Sequence, residues 1–388
     1  MPLLLALLLA DGASASDDTP PPPATSGIGR SPTAEPTRAE GGVFATANVT
    51  EVPPWLRGDV SLNYSYDRLG GHLTEDIPEE VDAVETADLE VGQRTLTDHV
   101  LSIDAIFSAG PGVAITLGFP IHVRESTWFG TSQTMVYDPT TGSGTMQGTN
   151  AVDIGAVAAG AGLEGVWIGL AGTPFSEAFE KRQNRATWRL AGALRTPNKH
   201  NFYTVDAGKR GVGSGGLGLR IDNAFSTTVG VTQPYLSFRY ESEGKATVNV
   251  TDNSGSVISS KTELQGPKSA DIRFGAEFLA TRNAEADTDV RIDLHGVISY
   301  ASWSLVPSGI YLPSVLNVTD GAAVQNAESA DIGGGLGVSV QAIRYLRIGL
   351  FGQIQYHLRQ RIESPYPIYT SGDTIRSLAG ANMTIRVR

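Results

Sequence analysis

Asp289-Val290-Arg291-Ile292-Asp293-Leu294-His295-Gly296-Val297-Ile298-Ser299-Tyr300 decides how the rest of the chain is read. One alternate set is Val290, Ile292, Leu294, Ile298 and Tyr300; the other is Asp289, Arg291, Asp293, His295 and Ser299. A period of two with one apolar and one polar face is the mark of a β-strand. A soluble sandwich strand would turn Val290 and its partners to a core. The same pattern fits a strand with lipid on one side and a wet interior on the other. The choice depends on whether the pattern recurs with a matching rhythm of connections.

Working outward, the alternation recurs eleven more times. Gly58 to Asp67 sets Val60, Leu62, Tyr64 and Tyr66 against Asp59, Ser61, Asn63, Ser65 and Asp67. Thr95–Ser108 sets Leu101, Ile103, Ala105 and Phe107 against Ser102 and Asp104. Val113–Arg124 and Gly162–Thr173 follow, the latter with Val166, Ile168 and Leu170 on its apolar side. Later segments carry Arg189 and Arg195; Arg220 and Asp222; Arg239 and Glu241; and Asp271, Arg273 and Glu277 on their polar sides. Beyond the opening stretch come Asp331, Ser339 and Gln341, then Arg347, Gln353, Gln355 and His357, and a last strand from about Ala381.

The connections alternate long and short through all twelve strands. Gly70–Gln93, Glu125–Ala161, Pro197–Gly213, Ser242–Ser269, Trp303–Ala330 and Arg361–Thr374 are the long ones. An even strand number puts both chain termini on the short-turn side, the periplasmic side in outer-membrane barrels. A soluble Greek-key fold has no reason to sort its loops by length. Tyr64, Tyr66, Trp188, Tyr240, Tyr300, Trp303 and Tyr356 fall near strand ends, where interfacial girdles need them. The expected fold is all-β: a single antiparallel up-and-down transmembrane β-barrel of about 12 strands, with short periplasmic turns and long extracellular loops.

Composition agrees. The chain has 388 residues, Lys+Arg 29 against Asp+Glu 41, a net charge of −12, 45 glycines and no cysteine. That charge disfavours nucleic acid, which needs a basic face. The missing thiols exclude disulfides and thiolate metal sites. Mean hydropathy is near zero, as alternating strands average out. Residues 1–15, an apolar run ending in Ala13-Ser14-Ala15, resemble a secretory signal peptide. Residues 16–54, with Pro20 to Pro23, read as a disordered Pro/Thr-rich leader. Residues 55–388 are left for the barrel.

The polar faces supply the candidate site: Asp104, Arg189, Arg220, Asp222, Arg239, Arg273, Glu277, Arg291, Asp293, His295 and Arg347 as lumen-lining residues. Mixed charges lining a lumen make either a solute path with a strong transverse field or a self-paired plug. A one-residue slip of the opening strand would turn Asp289, Arg291 and Asp293 to lipid together, so its register is strongly set.

Three motifs read as structure. Gly211-Val212-Gly213-Ser214-Gly215-Gly216 matches a dinucleotide fingerprint letter for letter, but a strand follows it rather than a helix, so it is a glycine-rich rim. Gly333-Gly334-Gly335-Leu336-Gly337 marks a place where a strand bends or meets inserted side chains. Asp293 and His295 share a face without a nucleophile motif beside them, so His295 is read as a lumen residue and the chain as no enzyme. The six histidines show no metal-ligand spacing. No catalytic, metal or cofactor site is expected.

The repeated strand–turn–strand units such as Val100 to Val123, and Leu194-Arg195-Thr196-Pro197 followed by the glycine-rich Gly211 to Arg220, resemble proteobacterial outer-membrane barrels of the transporter or phenol-degradation-pathway type. The resemblance covers about Arg57 to Arg388. It departs at Thr196-Pro197-Asn198, where the family's strand ends in Pro-Thr-Gly before its glycine-rich rim, and at Arg388, where most members have an aromatic. It implies a Gram-negative outer membrane, contact with its lipids and lipopolysaccharide, assembly by the barrel assembly machinery, and passive passage of small, possibly hydrophobic, solutes. The alternative is a closed structural or surface-interaction barrel whose long loops bind partners.

Overall fold

The computed structural model describes residues 58–76, 89–110, 113–138, 143–175, 186–213, 215–227, 229–251, 254–283, 288–307, 323–326, 328–343, 345–358, 360–363, 368–371 and 374–387. The expected signal peptide and leader lie outside the described residues, as do residues 77–88 of the long connection Gly70–Gln93.

Twelve strands close on themselves: β1 (Gly58–Asp76), β2 (Leu89–Gly110), β3 (Val113–Asp138), β4 (Trp167–Phe175), β5 (Ala186–Arg195), β6 (Gly218–Thr227), β7 (Thr232–Glu243), β8 (Lys268–Asn283), β9 (Thr288–Ala301), β10 (Ser329–Ile343), β11 (Leu346–His357) and β12 (Thr374–Val387). Each pairs antiparallel with the next, and β12 returns to β1 with Gly58 opposite Val387 and Leu69 opposite Arg376. Closure leaves no edge in this ring, the condition for backbone to cross a bilayer as strands. Among the described residues no helix is long and apolar enough to do so.

The two faces sort as the alternation demands. Leu170, Leu294, Leu350 and Ile354 point outward, with relative exposures of 61%, 51%, 63% and 63%. Inward on the same or neighbouring strands, Arg189, Arg239, Glu277 and Asp293 are buried. This inverts a soluble protein: the apolar surface is outside and the ionised groups are inside. Tyr64, Tyr300, Trp303 and Tyr356 are exposed near strand ends on the outer side. Trp188 stacks on Phe225 at 5.7 Å near the short-turn end.

Two expectations change. Glu125–Ala161, read as a loop, is largely strand: β3 runs on to Asp138, and Ser143–Leu163 pairs back along it. Above the membrane both faces of a hairpin are wet, so no alternation marks it in the sequence. A second hairpin, Lys245–Thr251 with Val257–Gln265, stands inside the β7–β8 loop; there Ala246, Val248 and Val250 do alternate with Thr247 and Asn249, and Val248, Val250 and Leu264 are buried together beside Tyr203. Short strands also stand in the loops after β9 (Ser304–Pro307, Ala323–Asn326) and β11 (Gln360–Glu363, Ile368–Ser371).

The second change is at Gly162–Thr173. The strand breaks after Leu163 and resumes at Trp167: Ile121 pairs with Leu163 and Gly118 with Trp167, so Glu164, Gly165 and Val166 face only Phe119 and Pro120. Pro120 has no amide hydrogen to give the ladder, and Gly165 takes φ +152°, a conformation L side chains avoid. Unbroken alternation from Ile168 would place Glu164 on the lipid side. The bulge turns it inward instead.

Candidate functional site

All eleven candidates on the polar faces lie inside the ring, and the structure joins most of them into layers along the axis. Following β9 from the short-turn end, Asp289 comes first. Arg347 Nη2 donates to Asp289 Oδ1 at 3.1 Å and to Gln341 Oε1 at 2.9 Å. Arg291 bridges Asp289 (3.5 Å) and Glu277 (3.3 Å). A guanidinium between two carboxylates in a buried layer satisfies charges that would otherwise be costly to hold away from water.

The middle layer centres on Asp293. The Tyr235 hydroxyl donates to its Oδ1 at 2.9 Å, and His295 Nδ1 lies 2.6 Å from its Oδ2. His295 Nε2 is 3.3 Å from Gln353 Oε1, which also accepts from Arg273 Nη2 at 3.0 Å. Between these two layers is a cavity of about 50 Å³ whose lining joins the charged Arg273, Glu277, Arg291, Asp293, His295 and Arg347 with the small or bare Gly337, Ser339 and Gly349. It has room for a water or two.

Nearer the long loops, Asp222 accepts from Arg239 Nε at 2.7 Å and pairs with Arg220 at 3.4 Å. Arg220 lies 4.4 Å over the ring of Trp167, with Arg195 at 5.5 Å. Trp167 is inward and buried, a cation–π site out of water. Asp104 accepts from Asn63 Nδ2 at 2.7 Å and Ser102 Oγ at 3.0 Å. Arg189 is among the most deeply buried side chains described.

At the mouth, Glu164 pairs with Arg195, which also pairs with Glu243, and lies 3.4 Å from His122 Nε2. His122 Nδ1 is 3.1 Å from Asp98, which accepts from Arg124 Nη2 at 2.6 Å. Glu164 stands in the break before β4. Arg195 and His122 flank its carboxylate and offset the cost of burying it. The β5–β6 loop packs onto this cluster: a Cβ at Gly213 would come within 2.8 Å of Glu164 Cγ, and Gly213 itself takes φ +77°. The glycine-rich segment is therefore a rim, as expected. Across the barrel Arg376 ties Asp67 to Asp331, which also meets His357.

The site is larger than the candidate set. Tyr235, Gln353 and Trp167 were findable, because each shares the parity of polar neighbours on its own strand. Glu164 was not, since the bulge resets the parity exactly where it stands. Arg376 and Asp67 were visible as polar residues, but nothing local pairs positions 309 apart.

A closed antiparallel ring, apolar outside and charged within, with short turns at one end and long loops at the other, is an outer-membrane β-barrel. No family model matches the chain, and no curated protein matches it in sequence. Among solved structures, an outer-membrane channel from Pseudomonas putida F1 is 10% identical, with 88% of this chain and 98% of that one covered at a TM-score of 0.43. A Pseudomonas aeruginosa FadL homologue is 10% identical over 85% and 90% at 0.34. The P. putida toluene transporter TodX is 10% identical over 85% and 89% at 0.32. The class stands on the closed ladder and its two faces.

Proposed function

We propose that the barrel is a passive conduit for small solutes across the outer membrane. The inward face of β10 carries this reading. It reads Asp331, Gly333, Gly335, Gly337, Ser339 and Gln341, so three successive inward positions carry no side chain between the charged inward faces of β9, with Arg291 and Asp293, and β11, with Arg347. A structural barrel gains nothing from leaving such a gap between charged neighbours. A conduit gains a constriction with a transverse field. Such a lining gives most to small polar or charged solutes. An apolar solute, as the family resemblance implies, would meet few partners at this level.

Gly337 offers the test. A Cβ there would meet Asp293 Cβ at 3.4 Å and Leu350 O at 3.6 Å, ordinary contacts. The branched end of Gly337→Leu would then occupy the cavity. In planar bilayers the native barrel is expected to give discrete conductance steps that Gly337→Leu largely abolishes. Liposome swelling with a sugar, a small carboxylate and an apolar aromatic then ranks the solutes. A native barrel without steps and without uptake sinks the conduit. That result favours the closed structural barrel, which the extensive pairing of Asp289, Asp293 and Asp222 supports as a second reading.

A further inference from the structure

His295 is a lumen side chain whose position depends on a neighbour's lack of one. The β9–β10 register sets it opposite Gly335, and the β10–β11 register sets Gly335 opposite Gln353. All three face inward. A Cβ built on Gly335 would stand 2.6 Å from His295 Nε2 and 2.8 Å from Cε1. The imidazole therefore lies across the bare backbone of Gly335, parallel to the wall, and reaches one strand further to Gln353 at 3.3 Å. Asp293 holds its other nitrogen at 2.6 Å. Both anchors keep the ring on the wall. The cavity opens beside it, with His295 in its lining, so a rotation of this ring away from Gly335 is a rotation into the cavity.

We infer that His295 is the residue that sets the free cross-section of the lumen, parked against Gly335 by Asp293 and Gln353 and able to swing into the adjoining space. This rests on the conduit reading and goes beyond it, because it assigns the constriction to one movable side chain rather than to the fixed arginine ladder. The physical requirement is a glycine at 335: a side chain there displaces the ring, and the cavity described above is open beside it. Deleting the ring removes one side chain from the lining of that cavity and widens it.

The experiment is single-channel recording of the full chain in planar bilayers, with folding of every variant checked by heat-modifiable gel mobility. His295→Ala is expected to raise unit conductance about twofold. Gly335→Ala is expected to lower it by roughly half or more, as the ring is driven off the wall. Because a Cβ at 335 also meets Gly352 O at 2.7 Å, the double variant is decisive: removing the ring must return conductance to at least the native level. Gly335→Ala low and the double variant equally low would assign the loss to the backbone clash and overturn the inference. A conducting native barrel with unchanged His295→Ala overturns it too, even if Gly335→Ala fails to fold. A silent native barrel instead overturns the conduit reading beneath it.

Discussion

Leu294 sits near the middle of β9, points outward and is half exposed at 51%. Replacing it with arginine tests the whole orientation of the barrel. From Leu294 to Tyr300 is six residues. At about 3.3 Å per residue and a tilt near 40°, that is about 15 Å of membrane height. The apolar band is about 25 Å tall, so Leu294 lies near its midplane and Tyr300 at its edge. Leu294→Arg is then expected to destabilise the folded barrel by about 2–4 kcal/mol, and Tyr300→Arg by about 0–1 kcal/mol. In equilibrium terms the first is roughly a 30- to 700-fold loss and the second less than about tenfold. Reversible denaturant titration in lipid vesicles, followed by tryptophan fluorescence, measures both. On a water-facing surface neither change would matter beyond about 0.5 kcal/mol. Equal and small costs at 294 and 300 would therefore refute a lipid-facing Leu294, and with it the assignment of Arg291, Asp293 and His295 to a lumen.

A further outcome concerns the mouth. Arg195→Ala leaves Glu164 and Glu243 without their shared guanidinium, and is expected to cost about 3–5 kcal/mol in the same titration, as for other buried pairs that lose one member. A change under about 1 kcal/mol would mean the cluster is solvated.

The sequence by itself determined the ring's membership and its two faces. Val290, Ile292 and Leu294 face lipid, and Arg291, Asp293 and His295 face inward, because a strand's period of two is a local property that no tertiary contact can alter without a bulge. The long–short rhythm of connections likewise placed twelve strands and both ends. The strand pairing beyond Arg124, where β3 runs on to Asp138 beside Ser143–Leu163, was not read from the sequence, because a hairpin clear of the bilayer does not have to present an apolar face to lipid. Nor could the sequence place Glu164, since the bulge opposite Pro120 reverses the parity that served everywhere else.

Only the tertiary structure decided which charges meet. Arg347 reaches Asp289 across 58 positions and Arg376 reaches Asp67 across 309. Such pairings follow from the stagger of registers around a closed ring, and no single strand encodes that sum. The same closure lays His295 on Gly335. Read along β9, that histidine was one more polar residue; read across β9, β10 and β11, it is a ring resting on the wall because its neighbour has no side chain.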